Sequence, residues 1–404
     1  MERPLTRPRA LIIGGSVGGL FAAHLLRGAG WEVAVFERAA GDLGDRGTGI
    51  GTREELFAVM RRIGLSIDAS IGIDVAGRRG LGRDGGTIHE LPVPAVTSAW
   101  SRIWRPLRQA LPDSCWVGGK TVIRIEPRAD RIGAIFDDGS RAEGDLLVAA
   151  DGLHSTVRAQ FIPSLAPRYA GYVAWRGVVD ANELLPELHE LMFHRMVFGF
   201  PDGELMLSIP MPAPRGNAKR ACHFVWFRPA TESALVGLCT DESGRRHGLS
   251  IPPPLIRPEL IAELKQDADA LLAPQLAALV QSTAQIILQP IFDLESPRIA
   301  FGRVALMGDA AFVARPHVAT GVTKAAIDAE SLAAALADSR DVEASLRRYN
   351  DERQPYGAAL VARGRHIGAY FAARGGDPRP RIESLMREYG AAGLVRDQAI
   401  RARS

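Results

Sequence analysis

The chain has 404 residues, 47% apolar and 24% charged, and its 49 basic and 46 acidic side chains leave a net charge of +3. This is ordinary globular composition with room for two or three domains, and it excludes a disordered, collagen-like or coiled-coil chain. Apart from Lys120, Lys219, Lys265 and Lys324, every basic residue is an arginine; these are scattered, without the clustered basic stripe of a nucleic-acid binder.

The first apolar stretch, Leu11 to Leu26 behind Arg3, Arg7 and Arg9, imitates a secretion signal, but Gly14, Gly15, Gly18, Gly19 and His24 interrupt it and no A-x-A site follows. It reads instead as a strand over 10–13, a helix over 17–26 and a second strand over 31–36 that ends in Glu37. The connecting turn, Gly14-Gly15-Ser16-Val17-Gly18-Gly19, is a GxGxxG pattern with serine at its second glycine. Gly14 permits the tight turn, position 16 lets a pyrophosphate approach the backbone, and Gly19 lets helix and strand pack closely. The pyrophosphate would rest on the free N–H groups of the helix N-terminus, and Glu37 stands where a carboxylate accepts ribose hydroxyls. This pattern alone does not separate NAD from FAD.

Two more buried strands, over 145–150 and 301–307, each run into an aspartate, Asp151 and Asp309. Ligands of open α/β sheets bind outside such strand ends, although a single aspartate there is often only a helix cap. Between them, residues 168–291 hold no nucleotide motif. Segments 172–176, 196–200, 205–209 and 223–227 alternate like strands, and 71–91 is expected to join the same sheet. The longest uncharged run, 271–292, carries two prolines and four glutamines and is a poor membrane span. Helices are expected over 324–336, 342–349 and 355–373, with a break at Gly375-Gly-Asp-Pro378 before a last helix. Cys115, Cys222 and Cys239 lie far apart and form neither a disulfide framework nor a metal pair. A soluble, cytoplasmic chain without a metal site is expected.

Three separated motifs, GGSVGG with Glu37, DGLHSTVR (151–158) and GDAAFVARPHVATG (308–321), resemble those of the group A flavoprotein monooxygenases, the single-component FAD-dependent aromatic hydroxylases. Segments 169–177 and 315–325 are similar to the branch that hydroxylates dihydroxypyridines. The resemblance implies an α/β fold: a Rossmann-like FAD-binding domain (1–70, 95–165 and 292–340), an inserted, mostly antiparallel β-sheet substrate domain (71–94 and 166–291) and a C-terminal helical region (341–404) that covers the FAD domain or forms a homodimer. It implies that residues 14–19 hold the FAD pyrophosphate, that Glu37 with Arg38 beside it holds the adenosine ribose, and that Arg105 lies near the flavin phosphates. Asp151 would lie between FAD and the nicotinamide groove, with Arg158 bracing it. Asp309 would bind the ribityl chain, and Gly321, Val322 and Thr323 would aim a helix at the flavin N1–C2=O edge, where its N-terminus stabilises negative charge. NADH or NADPH would reduce the flavin, O2 would give a C4a-hydroperoxide, and a small hydroxylated aromatic or N-heteroaromatic ring would be hydroxylated, 2,6-dihydroxypyridine at C3 being the expected substrate.

For the substrate side, Pro316 and His317 follow the flavin-facing motif, and His317 is the leading candidate to hold a ring hydroxyl or move a proton. His223, Tyr172, His194, Trp175 and Trp226 are weaker candidates, and Arg176 is expected to pair within the sheet rather than anchor an anionic substrate. Two alternatives stay open. One is another flavoenzyme, a reductase or a halogenase, the latter needing a lysine such as Lys324 facing the tunnel. The other is a flavin-binding regulator without activity.

Overall fold

Strand Arg9–Ile13 is buried after its first residue, as a parallel strand covered on both faces must be. In the computed structural model, which describes residues 7–44, 48–214, 219–337, 341–372 and 378–390, it pairs in parallel with Leu146–Ala149 and Glu32–Glu37. The full sheet runs Ala300–Phe301, Val304–Leu306, Leu146–Ala149, Arg9–Ile13, Glu32–Glu37, Trp116–Gly118. Only its outermost pair is antiparallel. Helices Val17–Gly28 and Gly321–Ala337 pack on each other, burying Leu20, Phe21 and Ala326 among others. The carboxyl ends of the central strands therefore carry Gly14, Asp151 and Gly308-Asp309 to one edge of the sheet.

The second sheet has eight strands, ordered Phe312–Val313, Ile287–Glu295, Arg168–Asp180, Arg220–Pro229, Leu205–Pro212, Arg195–Gly199, Gly77–Leu81, Thr87–Leu91. All pair antiparallel except Arg195–Gly199 with Gly77–Leu81. Side chains alternate between its faces. Val173, Trp175, Phe224 and Trp226 enter the core on one face, and Tyr172, Ala174, Val225 and Phe227 enter a different core on the other. The first face is covered by helices Pro258–Leu271 and Pro274–Ser282; the second packs against Val318, Leu360 and Ile367.

Several elements differ from expectation. Ile73–Val75 leaves the large sheet and joins Ala95–Ala99 and Gly49–Gly51 in a small one. The large sheet does not stop at residue 291, since its strand runs to Glu295 and Phe312–Val313 pairs with it. The helices over 258–282 were not anticipated, although each opens with a proline at its first turn, where the missing N–H costs nothing. The antiparallel hairpin sheet Val122–Pro127, Ile132–Phe136, Arg141–Gly144 was also missed. Val342–Ala372 is one helix through Pro355 rather than two, and the expected break at 375–378 falls mostly outside the described residues. Helix Pro378–Glu388 then closes on the edge strand Thr87–Leu91. No described helix is long and apolar enough to cross a membrane.

Candidate functional site

At the carboxyl end of the first strand, Gly14 adopts φ +107°, and a Cβ on Gly19 would strike the Gly14 carbonyl oxygen. The loop is held from outside. Glu37 accepts the Gly15 N–H at 2.7 Å and the Ala39 N–H at 2.9 Å, and Trp104 donates its indole N–H to the Gly15 carbonyl at 2.9 Å. Ser16 sits at the N-cap of helix Val17–Gly28 without using its hydroxyl there. Val17, Gly18 and Gly19 are buried behind it. A cleft of about 300 Å3 opens here, lined by Gly14, Ser16, Glu37, Arg38, Asp151 and His154 among others.

Asp151 accepts the Val157 N–H at 3.3 Å through one oxygen, while the other is buried without a partner. Burial raises its pKa above the usual carboxylate value, with hydrogen bonds from the 155–157 turn opposing. Arg158 is 3% exposed and ties this segment to the next motif, donating to the Leu153 carbonyl at 2.5 Å and the Ala310 carbonyl at 3.1 Å. Asp309 is exposed, and among the described residues its carboxylate receives no hydrogen bond. Arg105 stands on helix Trp100–Ala110 over the 42–44 loop, 4.0 Å from Asp42, and lines neither this cleft nor the next.

A second cavity, of about 390 Å3, lies under the inner face of the eight-stranded sheet. Gly321 and Val322, the first residues of helix Gly321–Ala337, line it together with Pro316 and Ala319. Thr323 is buried one residue further in, its hydroxyl without a partner. The sheet contributes Arg78, Arg176, Met196, Ile209, His223 and Val225. His223 is 1% exposed, neither ring nitrogen has a hydrogen-bond partner, and burial, reinforced by Arg176, holds its pKa well below 6.5.

The leading candidate from sequence lies elsewhere. The 316–318 turn and a left-handed Ala319 (φ 48°) rotate His317 away from the cavity into the core, where it is fully buried. There its Nε2 meets the Tyr172 hydroxyl at 2.7 Å, and its ring packs on Phe227 at 4.6 Å. Burial pushes its pKa down to about 3. Neither His317 nor Tyr172 lines the cavity. Trp175 and Trp226 face the opposite side of the sheet, and His194 is exposed beside Glu190. Among the described residues Arg176 pairs with no carboxylate and donates to the Thr48 hydroxyl at 3.2 Å. Lys324 faces no tunnel: it is 2% exposed and donates to the Gly308 carbonyl and to Asp328. Sequence reasoning missed Trp104, Arg78 and Tyr389, the last brought to the cavity by the C-terminal helix.

These residues fit FAD: a glycine cradle, a free serine hydroxyl at a helix N-terminus, an exposed aspartate without protein donors, and a helix start opening on a roofed cavity. Known proteins agree. The FAD binding domain-like family matches residues 169–293 and the FAD binding domain family residues 263–364. The chain is 28% identical to 2,6-dihydroxypyridine 3-monooxygenase of Paenarthrobacter nicotinovorans, over 88% of this chain and 89% of that one. It is 31% identical to aurachin C monooxygenase/isomerase of Stigmatella aurantiaca, over 89% and 88%. The solved structure of 2,6-dihydroxypyridine-3-hydroxylase from Arthrobacter nicotinovorans superposes with a TM-score of 0.87 at 27% identity, covering 92% of this chain and 94% of that one. With its cradle, its roofed cavity and these relatives, the chain belongs to the FAD-dependent aromatic hydroxylases of the group A flavoprotein monooxygenases.

Proposed function

We propose that the chain hydroxylates a small hydroxylated aromatic or N-heteroaromatic ring in the cavity beneath the eight-stranded sheet, at the expense of NADH or NADPH and O2, with 2,6-dihydroxypyridine at C3 the best-supported substrate. When bound, FAD supplies the reduction of O2 and the transfer of one oxygen atom to the ring. The residues from Gly14 to Gly19, with Glu37, Arg38, Asp151 and Asp309, hold and orient it, Arg158 braces the Asp151 segment, and Arg105 stands over the 42–44 loop outside both cavities. Gly321, Val322 and Thr323 present a helix N-terminus to the charge that reduction places on the flavin.

The observation that carries the reading is His223, a neutral, unpartnered imidazole on the roof of the cavity whose opposing lining includes that helix start. It takes a hydrogen bond from a ring hydroxyl and polarises the O–H bond, which raises electron density on the ring carbon that accepts oxygen. Ile209, Met196 and Val225 keep water from the reacting face. Pro316 and the left-handed Ala319 fix the loop between ring and flavin, while the His317–Tyr172 pair supports that loop from behind. Lys324, tied to Asp328, removes the lysine a halogenase would use.

The test is NADH oxidation by the FAD-loaded protein with and without 2,6-dihydroxypyridine, with the product mass read from the same tube. Ligand-stimulated oxidation with gain of one oxygen atom is expected. Stimulation without oxygenated product, or none across a panel of phenols and hydroxypyridines, sinks the reading.

A further inference from the structure

Among the described residues Ala319 is the one non-glycine with positive φ, at φ 48° and ψ 36°. A left-handed alanine crowds its Cβ against the carbonyl that follows, and such strain persists only where the surroundings impose it. Part of the hold is local, since Ala319 donates its N–H to the Pro316 carbonyl at 2.9 Å. The rest comes from distant chain. Gly390 donates its N–H to the His317 carbonyl at 2.7 Å, and Arg53 donates to the Gly390 carbonyl. Segments 49–53, 316–321 and 389–390 therefore meet at one junction, and each contributes residues to the cavity lining.

The Ala319 methyl fills that junction. A Cβ on Gly51 would stand 3.2 Å from it, and a Cβ on Gly390 3.4 Å from it. Apart from the Ala319 carbonyl oxygen at 3.3 Å, no other described residue beyond its chain neighbours comes within 4 Å of the Gly51 position. Glycines at 51 and 390 thus leave room for one methyl, and Ala319 supplies it. Two residues further on, Gly321 and Val322 open the helix whose start lines the same cavity. The Lys324 N–H reaches the Thr320 carbonyl at 2.7 Å, so the N–H groups of 321–323 precede the helical ladder and are aimed by the residues just before them.

We infer that Ala319 is a positioning residue for the hydroxylation: its methyl, wedged between strand Gly49–Gly51 and Gly390, sets the spacing between the cavity wall and the helix start that faces the flavin. A glycine at 319 would relieve the strain but leave the three backbones without their spacer. The strain is therefore kept for the spacing rather than for stability. This rests on the hydroxylase reading of the cavity, so the wedge is also read by measurements that need no ring substrate.

The FAD-loaded parent is compared with Ala319→Gly, Gly51→Ala and the double variant. Three quantities are measured: the urea unfolding midpoint, the flavin midpoint potential, and hydroxylated product formed per NADH oxidised with 2,6-dihydroxypyridine. Ala319→Gly is expected to unfold at no lower urea than the parent, because the strain is gone. Its flavin potential falls, since the helix start is held less firmly against the charge of the reduced flavin. Product per NADH falls about threefold or more through misplacement, the two electrons of NADH then reducing O2 to hydrogen peroxide with no ring oxidised. Gly51→Ala needs no left-handed backbone, but it sets two methyls against each other and lowers both the unfolding midpoint and the product yield. The double variant returns a single methyl to the junction, and its product yield recovers to within about twofold of the parent. Should Gly51→Ala fail to hold FAD, recovery of FAD by the double variant reads the same coupling. Additive effects in the double variant overturn the inference. So does an Ala319→Gly protein that unfolds more easily with potential and product yield unchanged, because its methyl is then packing alone. A parent that oxidises NADH without hydroxylated product removes the hydroxylase reading, and the potential and the double-variant coupling then decide the wedge.

Discussion

The ammonium of Lys324 and the carboxylate of Asp328 meet at 2.7 Å, one turn apart on the helix that begins at the cavity, directly against the backbone of Gly308. Lys324 holds the Gly308 carbonyl and Asp328 its N–H, at 2.9 and 3.1 Å, so the pair clamps both polar groups of the glycine that precedes Asp309. Arg353 bonds the other Asp328 oxygen at 2.9 Å. Lys324→Met removes half of the clamp and leaves a carboxylate with one cation fewer. The expected loss is about 3–5 kcal/mol of stability, as for other broken buried pairs. Urea unfolding with a parallel FAD titration checks it; unchanged stability would mean that Arg353 alone suffices.

Acid should weaken the fold through its histidines. His317 has a folded pKa of about 3, and that of His223 is held well below 6.5. Both rings are neutral in the folded protein and take up protons when unfolded below about pH 6.5. Their contribution is therefore complete above about 6.5 and is lost as pH falls toward each ring's folded pKa, at up to about 1.4 kcal/mol per pH unit for each ring. Unfolding curves of the parent and of His317→Gln between about pH 7 and pH 4 should show a shallower decline in the variant. Parallel curves would refute the assignment.

Two glycines on the first helix should behave oppositely. Gly19→Ala drives a methyl into the Gly14 carbonyl and distorts the cradle; flavin content after purification should collapse. Gly28→Ala meets nothing within 4 Å and lies at the end of the same helix. It should retain flavin and gain about 0.5–1 kcal/mol from helix propensity.

Trp104→Phe keeps an aromatic ring under the loop but removes the donor to Gly15. The carbonyl left behind should cost about 1–3 kcal/mol. Weaker FAD binding is expected with little change in KM for the ring substrate, since Trp104 does not line the second cavity.

The cradle and the two strand-end aspartates were legible in the sequence because their signals are local. A glycine needing positive φ sits a few residues from the strand that ends there, as Gly14 does. What was not legible arrives through tertiary contact. Trp104 reaches Gly15 across 89 positions, and nothing near either residue announces it. Period-two alternation placed Arg176 and His223 each on a strand, but which strands are neighbours, and what opposes a buried arginine, depends on the whole fold. His317 was read into the site from its neighbours; one left-handed residue after it, Ala319, sets its direction, and an alanine gives no sign of that. The helices over 258–282 were hidden because their prolines read as loop signals rather than as starts.

The cavity wall is completed by Tyr389 and Gly390, and Arg53 reaches the Gly390 carbonyl across 337 positions of chain. During synthesis the glycine cradle leaves the ribosome early, but the cavity under the eight-stranded sheet is not complete until residue 390 has emerged. Partly made chains therefore lack this cavity, and a nick just before helix Pro378–Glu388 would free one wall of it while leaving both sheets whole.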